Sequence, residues 1–147
     1  MKQFSIFGLG LALSIGLASC GNSQNQNIAR ANGSEVEASA IIAKNVAPIE
    51  FKELIDSKKE GVVLDVRTPQ EIAQGAIAGH VDMNFYAPDF KEQLKTLDKS
   101  KPVMVYCAVG GRSGSAMQLL SSMGFKEVYN LAGGIRAWQS QGMPLNK

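Results

Sequence analysis

Histidine and cysteine are scarce: the 147-residue chain has one His and two Cys. They cannot supply the four Cys/His ligands of a closed structural zinc site. Two cysteines form at most one bridge, so a disulfide framework is not expected either. Clustered basic residues are missing too. Lys plus Arg is 15 against 13 for Asp plus Glu, a net charge of +2, and the lysines are mostly single. A nucleic-acid binder needs a dense basic stripe to release counterions, so no nucleic-acid partner is expected. The longest apolar run, Phe4 to Leu17, is 14 residues, short of the ~20 that span a bilayer. What is present, 45% apolar and 19% charged residues, suits one globular domain.

Residues 1–20 read MKQFSIFGLGLALSIGLASC. A basic Lys2 followed by a short apolar stretch is the pattern of an export leader. The ending Leu17-Ala18-Ser19-Cys20 resembles a bacterial lipoprotein signal. That resemblance implies removal of residues 1–19, lipidation of Cys20, and an extracytoplasmic protein held on a membrane by its lipid anchor alone. Several acyl chains make such an anchor stable. Residues 20–39 then form a tether rich in Gly, Asn, Ser and Gln, with too little apolar surface to offset the entropy of ordering.

From residue 40 the chain alternates strand and helix patterns. Strands are expected at Ile41–Val46, Val62–Val66, His80–Phe85, Val103–Tyr106 and Glu127–Leu131. The continuous apolar runs among them are those of strands covered on both faces. Helices are expected after Pro48, over residues 69–74, from Pro88 to Leu97, from Ala116 to Gly124, and after Gly133-Gly134. Thr68-Pro69-Gln70-Glu71 is a capping box. Ala116, Leu119, Leu120 and Met123 follow helical spacing. The expected fold is α/β, with a central parallel sheet of about five strands and helices on both faces. Sites in such sheets sit at the carboxyl ends of the strands, which is where Cys107 falls.

After the strand 103–106 come Cys107, Ala108, Val109, Gly110, Gly111, Arg112 and Ser113. Paired glycines let backbone N–H groups turn inward. The following helix adds its N-terminal amides, and Arg112 adds a permanent charge. A thiol in that setting is expected to have a depressed pKa. The segment reads as a cradle for anionic sulfur or a small anion.

The domain resembles the rhodanese family over about residues 44–145. Leu64-Asp65-Val66-Arg67-Thr68-Pro69-Gln70-Glu71 is similar to its first signature. Gly75-Ala76-Ile77-Ala78-Gly79-His80-Val81 stands where the family reads G-H-I-x-G-A. Cys107 to Ser113 fits C-x-x-G-x-R-S, and Leu131-Ala132-Gly133-Gly134-Ile135-Arg136-Ala137-Trp138 matches the C-terminal signature. The resemblance implies sulfur transfer. Cys107 would be the nucleophile, taking a sulfane sulfur from thiosulfate or a persulfide and passing it to an acceptor thiol or cyanide. The loop amides would stabilise the sulfur anion, while Arg112 would attract the donor or hold the loop's shape. No metal or other cofactor is expected, and the domain is expected to act as a monomer.

Four residues separate Cys107 from Arg112. The related phosphatases and arsenate reductases use a loop one residue longer, so this spacing favours sulfur over phosphate. Ala108 stands where many thiosulfate-active members carry Arg, which lowers the expected attraction for a small dianion. The usual histidine of the G-H-I segment is Ala76, and His80 is read as a surface or packing residue. Asp65 and Arg67 are expected to support the pocket by bonding loops together, and Trp138 to lie in the core. A module that binds or carries sulfur without turnover is the alternative reading. Thiol redox exchange lacks a resolving cysteine.

Overall fold

The computed structural model describes residues 40–146. The leader, Cys20 and the tether lie outside the described residues. In chain order the elements are β1 (Ile42–Val46), α1 (Pro48–Ser57), β2 (Val62–Asp65), α2 (Pro69–Ile72) and β3 (His80–Asp82), then α3 (Phe90–Leu94), β4 (Val103–Tyr106), α4 (Gly111–Ser122), β5 (Glu127–Leu131) and α5 (Gly134–Ser140). The strands form one five-stranded sheet in the order β1-β5-β4-β2-β3. Every pairing is parallel, with Leu64 opposite Val105 and Val105 opposite Asn130.

β4 lies at the centre, and all four of its residues are buried. Side chains alternate across a strand, so the run divides between two cores. Val103 and Val105 join Leu64, Phe90, Leu94, Met117 and Leu120 beneath α3 and α4. Met104 and Tyr106 join Phe51, Ile135 and Trp138 beneath α1 and α5. The aromatic groups of that second core interlock edge to face, with Phe51 6.4 Å from Tyr106 and 6.3 Å from Trp138. A large buried apolar side chain stabilises the fold by roughly 1.5–3 kcal/mol. Trp138 is 3% exposed and its indole N–H donates to the Pro144 carbonyl at 3.0 Å. Among the described residues no helix is long and apolar enough to cross a membrane.

Several boundaries differ from the sequence expectation. β3 ends at Asp82 rather than Phe85 because Asn84 opens a turn: its Oδ1 accepts from Tyr86 N and its carbonyl from Ala87 N. α3 is half as long as the apolar spacing suggested, ending at Leu94 with successive short-range bonds through Leu97. α4 starts at Gly111, five positions before the apolar spacing becomes visible. Its first turn, Gly111-Arg112-Ser113-Gly114-Ser115, serves the Cys107 loop instead of the core.

Candidate active site

The carboxyl ends of β2, β4 and β5 converge on the segment Cys107–Ser113. Gly110 takes φ +95° and ends the loop, and α4 begins at the next residue. This conformation turns its amide inward, where it donates to Cys107 Sγ at 3.1 Å. The hydroxyl of Ser113, itself fully buried, donates to the same sulfur at 3.4 Å. Burial pushes the Cys107 thiol up, but the Ser113 hydroxyl and the amides of Ser113, Val109 and Gly110 outweigh it, and the net pKa lies below the ordinary thiol value. The site therefore stabilises a sulfur anion with fixed neutral dipoles. Cys107 is only 1% exposed, whereas Val109 at the loop crest is 56% exposed.

Arg112 does not point freely at the loop mouth. Its Nη1 donates to Glu71 Oε2 at 2.8 Å and its Nη2 to Glu71 Oε1 at 2.6 Å. Glu71 also closes the capping box of α2, its Oε2 accepting from Thr68 N at 3.0 Å while Thr68 Oγ1 accepts from Glu71 N. The bond from Arg112, reinforced by those from Thr68, holds the Glu71 carboxyl down at about 2. The Arg112 guanidinium also lies 5.5 Å over the Tyr86 ring. A bidentate pair of this kind fixes both charge and orientation. It ties the first turn of α4 to α2, which lies at the end of β2.

Asp65 and Arg67 form a second, deeper pair, 0% and 3% exposed. Arg67 Nη2 donates to Asp65 Oδ2 at 2.6 Å and Nε to Oδ1 at 3.0 Å. The remaining guanidinium donors reach the Glu71 and Gly75 carbonyls at 3.1 and 2.9 Å. Burial opposes the charge on Arg67, but the Asp65 carboxylate more than offsets it and raises the Arg67 pKa. Loss of either partner of this buried pair would leave an uncompensated buried charge. Here the pair ties the C-terminal end of α2 and the turn after it to the end of β2.

Sequence reasoning missed three other residues. Asn130 on β5 donates through Nδ2 to Asn45 Oδ1 at 2.8 Å and to the Gly110 carbonyl at 3.3 Å, bracing the residue that donates to Sγ. Gly134, at φ +60°, presses against the loop: a Cβ there would meet the Cys107 carbonyl oxygen and lie 2.6 Å from Ala108 C and Val109 N. That closeness lets the amides of Ile135 and Arg136 donate to the carbonyls of Cys107 and Ala108 at 2.8 and 3.2 Å. Arg136 itself lines a cleft with Ala108. Gly134 and Arg136 lie in the quoted C-terminal signature, but nothing local in it shows what they face.

His80 stands apart from this cluster. Its Nδ1 lies 2.9 Å from the Ile77 carbonyl and its Nε2 3.0 Å from Asp82 Oδ1, so both ring nitrogens are occupied locally. Ala76 is buried in a two-bond bridge to Asn146. Among the described residues no three His, Cys, Asp or Glu side chains gather into a metal-binding group.

The fold agrees with comparisons to known proteins. A family model of the rhodanese-like domain matches residues 47–141. The chain is 39% identical over 100 residues to the thiosulfate sulfurtransferase of Pseudomonas putida, covering 66% of this chain and 86% of that one. A solved rhodanese-related protein from Thermoplasma volcanium matches with a TM-score of 0.62 and 33% identity, covering 70% of this chain and 97% of the other. The polysulfide-sulfur transferase of Wolinella succinogenes matches with a TM-score of 0.61 and 27% identity, covering 74% and 80%. The chain belongs to the rhodanese-like domain family.

Proposed function

We propose that this protein is a sulfurtransferase that carries sulfane sulfur on Cys107. The observation that carries the reading is the sulfur cradle: Gly110 N and Ser113 Oγ both donate to Cys107 Sγ at the end of the central strand. The same donors would favour a thiolate before reaction and a persulfide after it. In the first step the Cys107 thiolate attacks the sulfane sulfur of the donor. One S–S bond forms to Cys107 and the donor's bond breaks. Its electron pair leaves with sulfite if the donor is thiosulfate, or with a thiolate if it is a persulfide. In the second step an acceptor thiolate attacks the outer sulfur, and Cys107 departs as thiolate. No net oxidation of the protein occurs, and each step is a displacement at sulfur.

Persulfides fit the site better as donors than thiosulfate does. Ala108 offers no charge at the loop mouth, and the Arg112 guanidinium is shared with Glu71. The known relatives include both a thiosulfate and a polysulfide enzyme. Assaying both donor classes on the full chain tests the proposal. Wild type should transfer sulfur with a higher kcat/KM for a persulfide than for thiosulfate, and Cys107→Ser should transfer none. Undiminished transfer by the Ser variant would refute the role of Cys107.

We further propose that the domain works outside the cytoplasm, tethered by lipid on Cys20. Support comes from the Leu17-Ala18-Ser19-Cys20 motif after a short apolar leader. Cys20→Ser should remove the lipid mass and leave uncleaved precursor; wild-type processing of that variant would contradict the anchor.

A further inference from the structure

β5 is buried from Val128 to Leu131, yet it places the amide of Asn130 inside that run, 4% exposed. Asn is disfavoured in strands, and an apolar side chain would suit such a position better. Asn130 Nδ2 donates to Asn45 Oδ1 at 2.8 Å and to the Gly110 carbonyl at 3.3 Å. A carbonyl only accepts, so the NH2 end of the amide must face Gly110. The Oδ1 end is then buried without a protein donor, which costs stability. The bond to Gly110 is what an apolar residue could not make. Asn45 stands directly opposite on the edge strand β1 and is exposed. Its Oδ1 fixes which way the Asn130 amide is turned.

Gly110 needs such a hold. It sits at φ +95° and ψ −12°, and Gly111 follows it. Paired glycines leave the backbone free to turn. A Cβ on Gly111 would meet nothing within 4 Å, so packing at that residue does not restrain the peptide. Hydrogen bonds restrain it instead. The Gly110 carbonyl accepts from Gly114 N at 2.9 Å, which ties it to α4, and from Asn130, which ties it to the sheet. On the other side of the same residue, Gly110 N donates to Cys107 Sγ at 3.1 Å. Three connected bonds thus run from Asn45 through Asn130 and Gly110 to the sulfur.

We infer that Asn130 is a positioning residue for Cys107: its amide, turned by Asn45, holds Gly110 so that the Gly110 N–H points at Sγ. Asn130 acts through Gly110 and not on the sulfur itself. The assignment rests on Cys107 as the reacting thiol of the proposed sulfur transfer. Among charged side chains, Arg112 of α4 feels the Cys107 thiolate, and it is tied to Glu71 of α2. Substitutions at 130 and 45 leave that pair intact.

The test is the pH profile of iodoacetamide alkylation in the full chain, read on the peptide that contains Cys107. Asn130→Leu keeps the side chain's size and cannot donate. Gly110 is one of several donors to the sulfur, so the midpoint should rise by about half a pH unit. Below both midpoints alkylation should slow roughly twofold, because a more basic thiolate is a better nucleophile and offsets part of the loss. Above them the variant should react at least as fast as wild type. Asn45→Leu, an exposed change, should move the midpoint the same way. Asn45→Asp keeps the acceptor and should retain the wild-type midpoint at high salt, where its exposed charge is screened. A purely structural role would scale the rate equally at every pH. That result, or an unmoved midpoint in Asn130→Leu, would overturn the inference. If Asn130→Leu does not fold, Asn45→Leu decides, and an unmoved midpoint there overturns it. Alkylation needs no sulfur donor. If the midpoint moves but Cys107 never gains sulfur, the positioning role stands and the transfer reading fails.

Discussion

Glu71→Gln separates the charge of the Arg112 pair from its shape. Gln keeps the size of Glu and can still close the capping box with Thr68, so the change removes the negative charge together with one of the two hydrogen bonds from Arg112, whose Nη2 no longer finds an acceptor. The Glu71 carboxyl is held at about 2, against an ordinary 4.5. At ~1.4 kcal/mol per pH unit, the difference of about 2.5 corresponds to roughly 3.4 kcal/mol before screening. The Glu71 side chain is 32% exposed and that of Arg112 16%. Solvent therefore reduces the figure, and about 1–2 kcal/mol is expected near pH 7. The folded pKa is depressed, so this stabilisation is fully present above about 4.5 and is lost as pH falls toward about 2. Urea unfolding of wild type and Glu71→Gln should differ by that amount near pH 7 and by less than half of it near pH 3. The variant also leaves Arg112 without its counter-charge while it still feels the Cys107 thiolate. The pH profile of Cys107 alkylation should therefore move to lower pH. A stability difference that is the same at both pH values, or absent near neutrality, would refute the electrostatic account of the pair.

Two other substitutions probe the loop. Gly134→Ala places a Cβ 2.6 Å from the Ala108 and Val109 backbone at a residue with φ +60°. Strain and overpacking together should cost about 2–4 kcal/mol, lowering Tm by roughly 10–20 °C and slowing alkylation of Cys107; an unchanged Tm would show that the loop and α5 are not packed as described. Ala108→Arg should raise kcat/KM for thiosulfate about fivefold at low salt, since charges ~6 Å apart interact by roughly 1 kcal/mol after screening. The gain should fade as salt rises, and an equal gain for an uncharged persulfide donor would mean that loop shape, not charge, is responsible.

The fold was largely legible because its strands are short, apolar and separated by turn residues. Val103–Tyr106 reads as a strand covered on both faces, and it lies at the centre of the sheet. Local patterns end where tertiary needs take over. The polar first turn of α4 carries no apolar spacing, yet it is helical because Gly110 and its amide direct it onto Cys107. The cradle itself was readable as a strand, paired glycines, an arginine and a helix in that order. Asp65 and Arg67 were readable as supports, but the other supports were not. Glu71 lies 41 positions from Arg112, and its capping box with Thr68 already accounts for a Glu there. Asn130 reaches Gly110 across 20 positions. Gly134 reads as a turn glycine, but its lack of a side chain is needed against Cys107 and Ala108. Such contacts depend on which strands become neighbours, and no local spacing encodes that.

The central claim is that Cys107 covalently carries the sulfur in transit. Its most direct measurement is the mass of the full chain after brief treatment with a persulfide donor, before and after addition of an acceptor thiol. The account predicts a gain of about 32 Da, one sulfur, mapped to the peptide containing Cys107 and removed by the acceptor. Cys107→Ser should show no gain on that peptide. Sulfur found on another residue, or transfer proceeding while Cys107 never gains mass, would contradict it.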